Sequence, residues 1–236
     1  MNSTPDAVRD VISAVDLAGV LTNAVLGGIA ARAARLDIVG FVILAILSGL
    51  GGGMIRDALL QHGAVVALTD PYYLVVAIIG AVIAFFIPFK GTWPNRALVL
   101  LDALALGCWA SVGVQKGLEA GLGWLPAVLL GMVTAVGGGM VRDVLLRKIP
   151  TVFGGNTLYA TSAFVACIVM LALSELGLPA FGSIFATLAG AALSLLARRF
   201  GWVLPTEVKL PKPRPVSAWF SGWWGGRRRR ERTPRR

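Results

Sequence analysis

Apolar residues fall into seven long runs along this chain, separated by short polar connectors. The runs cover Val11–Ala30, Ile38–Leu60, Tyr72–Phe89, Ala97–Gln115, Trp124–Leu146, Thr157–Leu176 and Ala180–Leu196. Each approaches the ~20 mostly apolar residues that a helix needs to cross a hydrocarbon core. Helix-breaking prolines punctuate the run edges and connectors: Pro71 after Asp70, then Pro88, Pro94, Pro126, Pro150 and Pro179. The pattern predicts an all-α membrane protein with seven transmembrane helices. No stretch before residue 200 is long enough for a separate soluble domain. Residues 1–10 form a short N-terminal segment that contains Asp6 and Asp10 and lacks the basic start of a signal peptide.

One phrase occurs twice. GGGMIRDALL, Gly51 to Leu60, returns as GGGMVRDVLL, Gly137 to Leu146, so Asp57 and Asp143 stand 86 residues apart. The same spacing relates Asp16 to Asp102 and Tyr73 to Tyr159. Between Phe41–Leu60 and Ala127–Leu146, ten of twenty positions are identical. The unit holds three spans, an odd number, so a second copy enters the bilayer from the opposite face. Residues 11–89 and 97–176 are therefore expected to be inverted repeats, an arrangement that places a transport pathway near mid-depth. The seventh span, 180–200, stands outside the symmetry.

Composition agrees with a lipid environment: 56% of residues are hydrophobic, 14% charged, and the mean hydropathy is +0.76. The net charge of +10 does not describe the membrane part. Residues 206–236 carry ten basic and two acidic side chains, so the tail supplies most of it, and the high pI gives no reason to expect nucleic-acid binding. Short-loop lysines and arginines mark the cytoplasmic side. An external N-terminus puts Arg32, Arg35, Lys90, Arg96, Arg147 and Lys148 inside and leaves Arg9 and Lys116 outside. The expected location is the inner membrane, with a cytoplasmic C-terminus.

The triplets Gly51, Gly52, Gly53 and Gly137, Gly138, Gly139 are costly in a helix, at roughly 1 kcal/mol for each glycine relative to alanine. They predict glycine-broken second and fifth helices, with freed backbone groups facing protein or water. Alanines there are expected to straighten the helix and close the path while the protein persists. The alternative is that glycines simply let helices pack closely, as a GxxxG spacing does. Arg56 and Arg142 remain charged and need anions. Adjacent helical residues point about 100° apart, so Asp57 and Asp143 are poor partners. Asp16, at matching depth, is the expected partner of Arg56, and Asp102 of Arg142. These groups either fix helix packing or line a pore.

Tandem three-helix repeats with GGGxxRD in each second helix, plus a lone seventh helix, resemble the prokaryotic branch of the trimeric intracellular cation channels, over about residues 11–200. The resemblance implies a homotrimer with one pore per subunit and passive flow of monovalent cations such as potassium. It also implies kinked second and fifth helices lining that pore. By position, the pore-lining set is Gly51, Gly52, Gly53, Arg56, Asp57, Gly137, Gly138, Gly139, Arg142 and Asp143, with Asp16 and Asp102 alongside. There is no TVGYG filter, so sodium exclusion has no visible basis.

Two other readings stand beside it. The same domain is described in family terms as a glycine transporter, and broken helices suit a small zwitterion. A scaffold or lipid-handling protein would pass nothing. No enzyme, metal or cofactor motif competes: His62 has no metal partner at useful spacing, and Cys108 and Cys167 read as small core residues. In the last span Gly182, Ala186, Gly190 and Ser194 recur every four residues, as a close contact face does. The tail, 201–236, joins prolines to Trp219, Trp223, Trp224 and Arg227–Arg230. It reads as a lipid-headgroup contact or as a merely soluble extension.

Overall fold

The structure, a computed structural model, describes residues 6–87, 92–153 and 158–203. The N-terminal residues ahead of Asp6 and the basic tail lie outside them. All regular structure among the described residues is helical. The helices are α1 (Asp6–Ala33), α2 (Ile38–Leu60), the one-turn α3 (Val66–Thr69), α4 (Pro71–Phe86), α5 (Thr92–Glu119), α6 (Trp124–Leu145), α7 (Tyr159–Glu175) and α8 (Pro179–Phe200). A 3-10 turn, Thr151–Phe153, precedes α7. Five helices are long and apolar enough to cross a membrane, while α4 and α7 are shorter apolar helices.

Local chemistry sets the boundaries. Asp37 accepts a bond from the Gly40 amide and starts α2. Asp70 accepts from the Tyr72 amide, and Pro71 occupies the first turn of α4, where its missing N–H costs nothing. Gly177 and Gly201, at φ 74° and 67°, end α7 and α8 in the left-handed region. The repeat extends to the backbone. Gln61 and Arg147, 86 residues apart, both end their helices at positive φ, 51° and 56°. The turns α3 and Thr151–Phe153 also occupy equivalent places. Their brevity leaves no periodic signal, and only the repeat points to them.

The interior is made of small side chains. Ala24, Ala45, Ala77, Ala84, Ala110, Ala163, Ala166 and Ala186 are buried, whereas Ile78, Ile79, Val82, Phe85, Leu129, Phe185 and Leu188 face outward. This inverts the soluble-protein rule. Lipid offers no hydrophobic incentive to hide a leucine, so helices associate by close backbone approach at Gly, Ala and Ser.

Contacts are exchanged between the halves. A methyl group on Gly52 would run into the Thr134 carbonyl oxygen, and one on Gly138 would run into that of Ser48. Shifting either pair by 86 residues produces the other with the partners swapped, the signature of a two-fold relation between the repeats. Residues beside such an axis meet the neighbours of their own counterparts. Gly137 abuts Gly52, its Cβ position 2.9 Å from the Gly52 Cα. The helix α8 stands apart from this symmetry. Its face of Gly182, Ala186, Gly190 and Ser194 is buried within the subunit, with Gly190 against Ala166 of α7 and the backbone of Gly107 in α5.

Candidate functional site

Two polar clusters sit in this apolar bundle, one built on each repeat. In the first, Asp16 of α1 accepts hydrogen bonds from the Tyr73 hydroxyl of α4 and from Trp109 Nε1 of α5, the latter at 2.6 Å. Arg56 Nε donates to Asp57 Oδ1 at 2.7 Å, with both side chains buried. The second Asp57 oxygen accepts from the Val66 amide at 3.0 Å and thereby anchors α3. Lys116 of α5 lies 3.6 Å from Asp57 Oδ1. A cavity of about 250 Å³ opens here, lined by Asp57, His62, Val66, Lys116 and Glu119 among others.

The second cluster repeats the plan. The Tyr159 hydroxyl donates to Asp102 Oδ1 at 3.1 Å, the equivalent of the Tyr73 bond. Arg142 pairs with Asp143 at 2.9 Å. Where Trp109 serves Asp16, its counterpart Asn23 lines the cavity beside Asp102. Arg198, in the last turn of α8, adds an ion pair to Asp102 Oδ2 at 3.4 Å. A cavity of about 340 Å³ joins Asn23, Asp102, Arg142, Asp143, Tyr159 and Arg198. Within each repeat the two aspartates and one arginine leave one negative charge. A cation from outside the repeat balances it: Lys116 in the first cluster, Arg198 in the second.

Between the clusters runs the seam of α2 and α6. Gly52 and Gly138 are its contact points, and Gly51 and Gly137 flank them. The third glycines do something else: Gly53 and Gly139 leave room for the guanidinium groups of Arg56 and Arg142, one turn on, at 3.7 and 3.8 Å from a Cβ placed there.

Comparison with known proteins bears on both repeats at once. The glycine transporter family matches residues 13–88 and 99–175. The UPF0126 inner membrane protein YadS of Escherichia coli K12 is 36% identical over 156 residues, 66% of this chain and 75% of its own length. A UPF0126 membrane protein of Deinococcus radiodurans is 34% identical over 202 residues, 84% of this chain and 92% of its own. Among solved structures, the TRIC trimeric intracellular cation channel orthologue from Rhodobacter sphaeroides is 33% identical, with a TM-score of 0.69 over 81% of this chain and 96% of that one. A TRIC cation channel solved to explain conductance is 28% identical, with a TM-score of 0.77, covering 84% of this chain and 98% of that one. The chain belongs to the prokaryotic TRIC family. It is a multi-pass integral membrane protein with relatives in the bacterial inner membrane.

In this TRIC-family chain, three expectations from sequence need correction. Helices α2 and α6 continue without interruption through Gly51–Gly53 and Gly137–Gly139, so the second and fifth helices are not glycine-broken. The glycines are there because two backbones touch, and close packing returns what their helix propensity loses. Alanine at Gly52 or Gly138 therefore disturbs the fold itself. The ion pairs also differ from the expected ones. Arg56 binds Asp57 and Arg142 binds Asp143, each its own neighbour. The 100° between adjacent Cβ directions does not limit an arginine, whose long stem curls back to present Nε. Asp16 and Asp102 are held by tyrosines, with Trp109 and Arg198 respectively completing their partners. Asp102 and Arg142 do line one cavity. Arg198, Lys116 and Trp109 carried no motif. Only Tyr73 and Tyr159 are marked in the sequence, through the repeat.

Proposed function

We propose that this chain forms a passive cation-permeable pore, with seven spans arranged as two inverted repeats and α8. The observation that carries this is the likeness to two TRIC cation channels over more than four-fifths of the chain. Such a pore passes potassium and has no visible means of excluding sodium, since the sequence holds no TVGYG motif. The path runs beside the α2–α6 seam. Asp16, Arg56 and Asp57 line one mouth, Asp102, Arg142 and Asp143 the other, and Gly51–Gly53 with Gly137–Gly139 form the narrow middle. The assembly is a homotrimer with a pore in each subunit, oriented with the N-terminus outside. With Lys116 and Arg198 counted the clusters are neutral, so the preference for cations over anions draws on the carboxylate oxygens of Asp16, Asp57, Asp102 and Asp143 and on backbone carbonyls. Purified protein in a planar bilayer with asymmetric potassium chloride tests this. Reversal near the potassium equilibrium potential is expected, and reversal at the chloride value overturns it.

A transporter of glycine or another small amino acid is the second reading. It draws on the family description and on the second cavity, where Asp102 and the arginines could hold both ends of a zwitterion. Uptake into vesicles that saturates with glycine, without the linear current of a channel, would favour it.

A further inference from the structure

The two clusters differ in one respect that the repeat does not explain. Asp16 is bound by two neutral donors on the repeats, Tyr73 and Trp109. Asp102 is bound by a cation from α8, the helix that has no counterpart. Arg198 also stands over the Tyr159 ring, its Cζ 6.0 Å from the centroid. Both ends of the Asp102–Tyr159 hydrogen bond therefore face one guanidinium.

That guanidinium is weakly held. Its separation from Asp102, 3.4 Å, exceeds the ~2.7–2.9 Å of a tight charge-assisted bond and the 2.7 Å of Arg56–Asp57. The Arg198 side chain is one-third exposed, while that of Asp102 is 11% exposed. A half-open cavity thus holds a carboxylate, a phenol oxygen that has donated its proton and keeps lone pairs, and a loose cation covering both.

We propose that Asp102 and Tyr159 form a monovalent-cation site at the cytoplasmic mouth, and that Arg198 is the tethered cation occupying it and limiting permeation there. This rests on the pore reading above and names the residue that tunes it. A permeating ion must displace the guanidinium, or pass a site that Arg198 has neutralised. Either way, removing the charge at position 198 leaves the cluster negative and opens it to cations.

The test is reversal potential and conductance in asymmetric potassium chloride, for the parent, Arg198→Gln, Asp102→Asn and the double variant. Arg198→Gln should raise the potassium-to-chloride permeability ratio by about threefold or more. It should also raise conductance at low salt. Asp102→Asn should lower both, and the double variant should return near the parent. A parallel measurement separates charge from folding. Arg198→Cys, assembled first, is modified in the bilayer by a cationic or an anionic thiol reagent; Cys108 and Cys167 are buried and out of reach. The anionic adduct should conduct cations better than the cationic one. Equal currents from both adducts, or parent behaviour in Arg198→Gln, would overturn the proposal. A parent that passes no current at all would instead sink the pore reading.

Discussion

Gly19 packs against Ala105, the residue that holds its own place in the second repeat, with a Cβ on Gly19 only 2.7 Å from that of Ala105. Like Gly52 and Gly138 of α2 and α6, this pair brings together residues 86 apart in sequence, here where α1 meets α5. Trp109 is wedged beside the same crossing, its ring 3.1 Å from the Gly19 Cβ position, and from there reaches Asp16. Gly19→Val should displace the Trp109 indole and so loosen Asp16 as well as the crossing. Indole fluorescence in detergent should shift with the loss of thermal stability; an unchanged spectrum would separate the two.

The glycine triplets divide by position. Gly52→Ala and Gly138→Ala drive a methyl into a backbone carbonyl, and forced overpacking costs roughly 1–3 kcal/mol. Gly53→Ala and Gly139→Ala meet only ordinary contact and recover up to about 1 kcal/mol of helix propensity. Melting temperatures of the four variants should therefore fall into two groups. Equal losses at Gly52 and Gly53 would refute the seam.

The buried pair of Arg56 and Asp57 should show coupling. Arg56→Ala alone strands a carboxylate, a loss of about 3–5 kcal/mol, whereas the double alanine variant should lose less. Asp16 with Arg56 should instead give additive losses, because no ion pair joins them. Two double-mutant cycles on thermal stability decide between these pairings.

Tyr73→Phe and Tyr159→Phe remove equivalent hydroxyls from unequal settings. A hydrogen bond to a charged group contributes about 1.5–3 kcal/mol. Asp16 keeps one neutral donor, Trp109, after the first change, and Asp102 keeps a cation, Arg198, after the second. The first substitution should therefore destabilise more. Equal or reversed melting shifts would show that Arg198 contributes little at Asp102.

The helices and the repeat were legible because lipid demands long apolar runs and duplication leaves an exact spacing. The run Ile38–Leu60 coincides with α2 to the residue. Ends elsewhere moved by a few residues, as at α1, which begins at Asp6 rather than Val11. Which residues approach each other was less legible. A glycine triplet is equally consistent with an unwound helix and with a helix pressed against another backbone, and only the position of Thr134 and Ser48 decides. The ion pairs failed for a different reason. Depth matching placed Asp16 near Arg56, but depth says nothing about Tyr73 and Trp109, which reach the carboxylate from two other helices. Arg198 carries no signal in the sequence because α8 lies outside the repeat.

The shortness of α4 and α7 has a consequence for the surrounding lipid. At 16 and 17 residues, and ~1.5 Å per residue, they span roughly 24–26 Å, against about 30 Å of hydrocarbon. Arg32 fixes one limit, since its guanidinium bonds the Ala84 and Phe85 carbonyls and holds a charge at the end of α4. Acyl chains beside these helices must shorten or splay to keep that charge wetted. The energy of the protein then depends on membrane thickness. Vesicles of progressively longer lipids would load α4 and α7 first, and through Tyr73 and Tyr159 that load reaches Asp16 and Asp102.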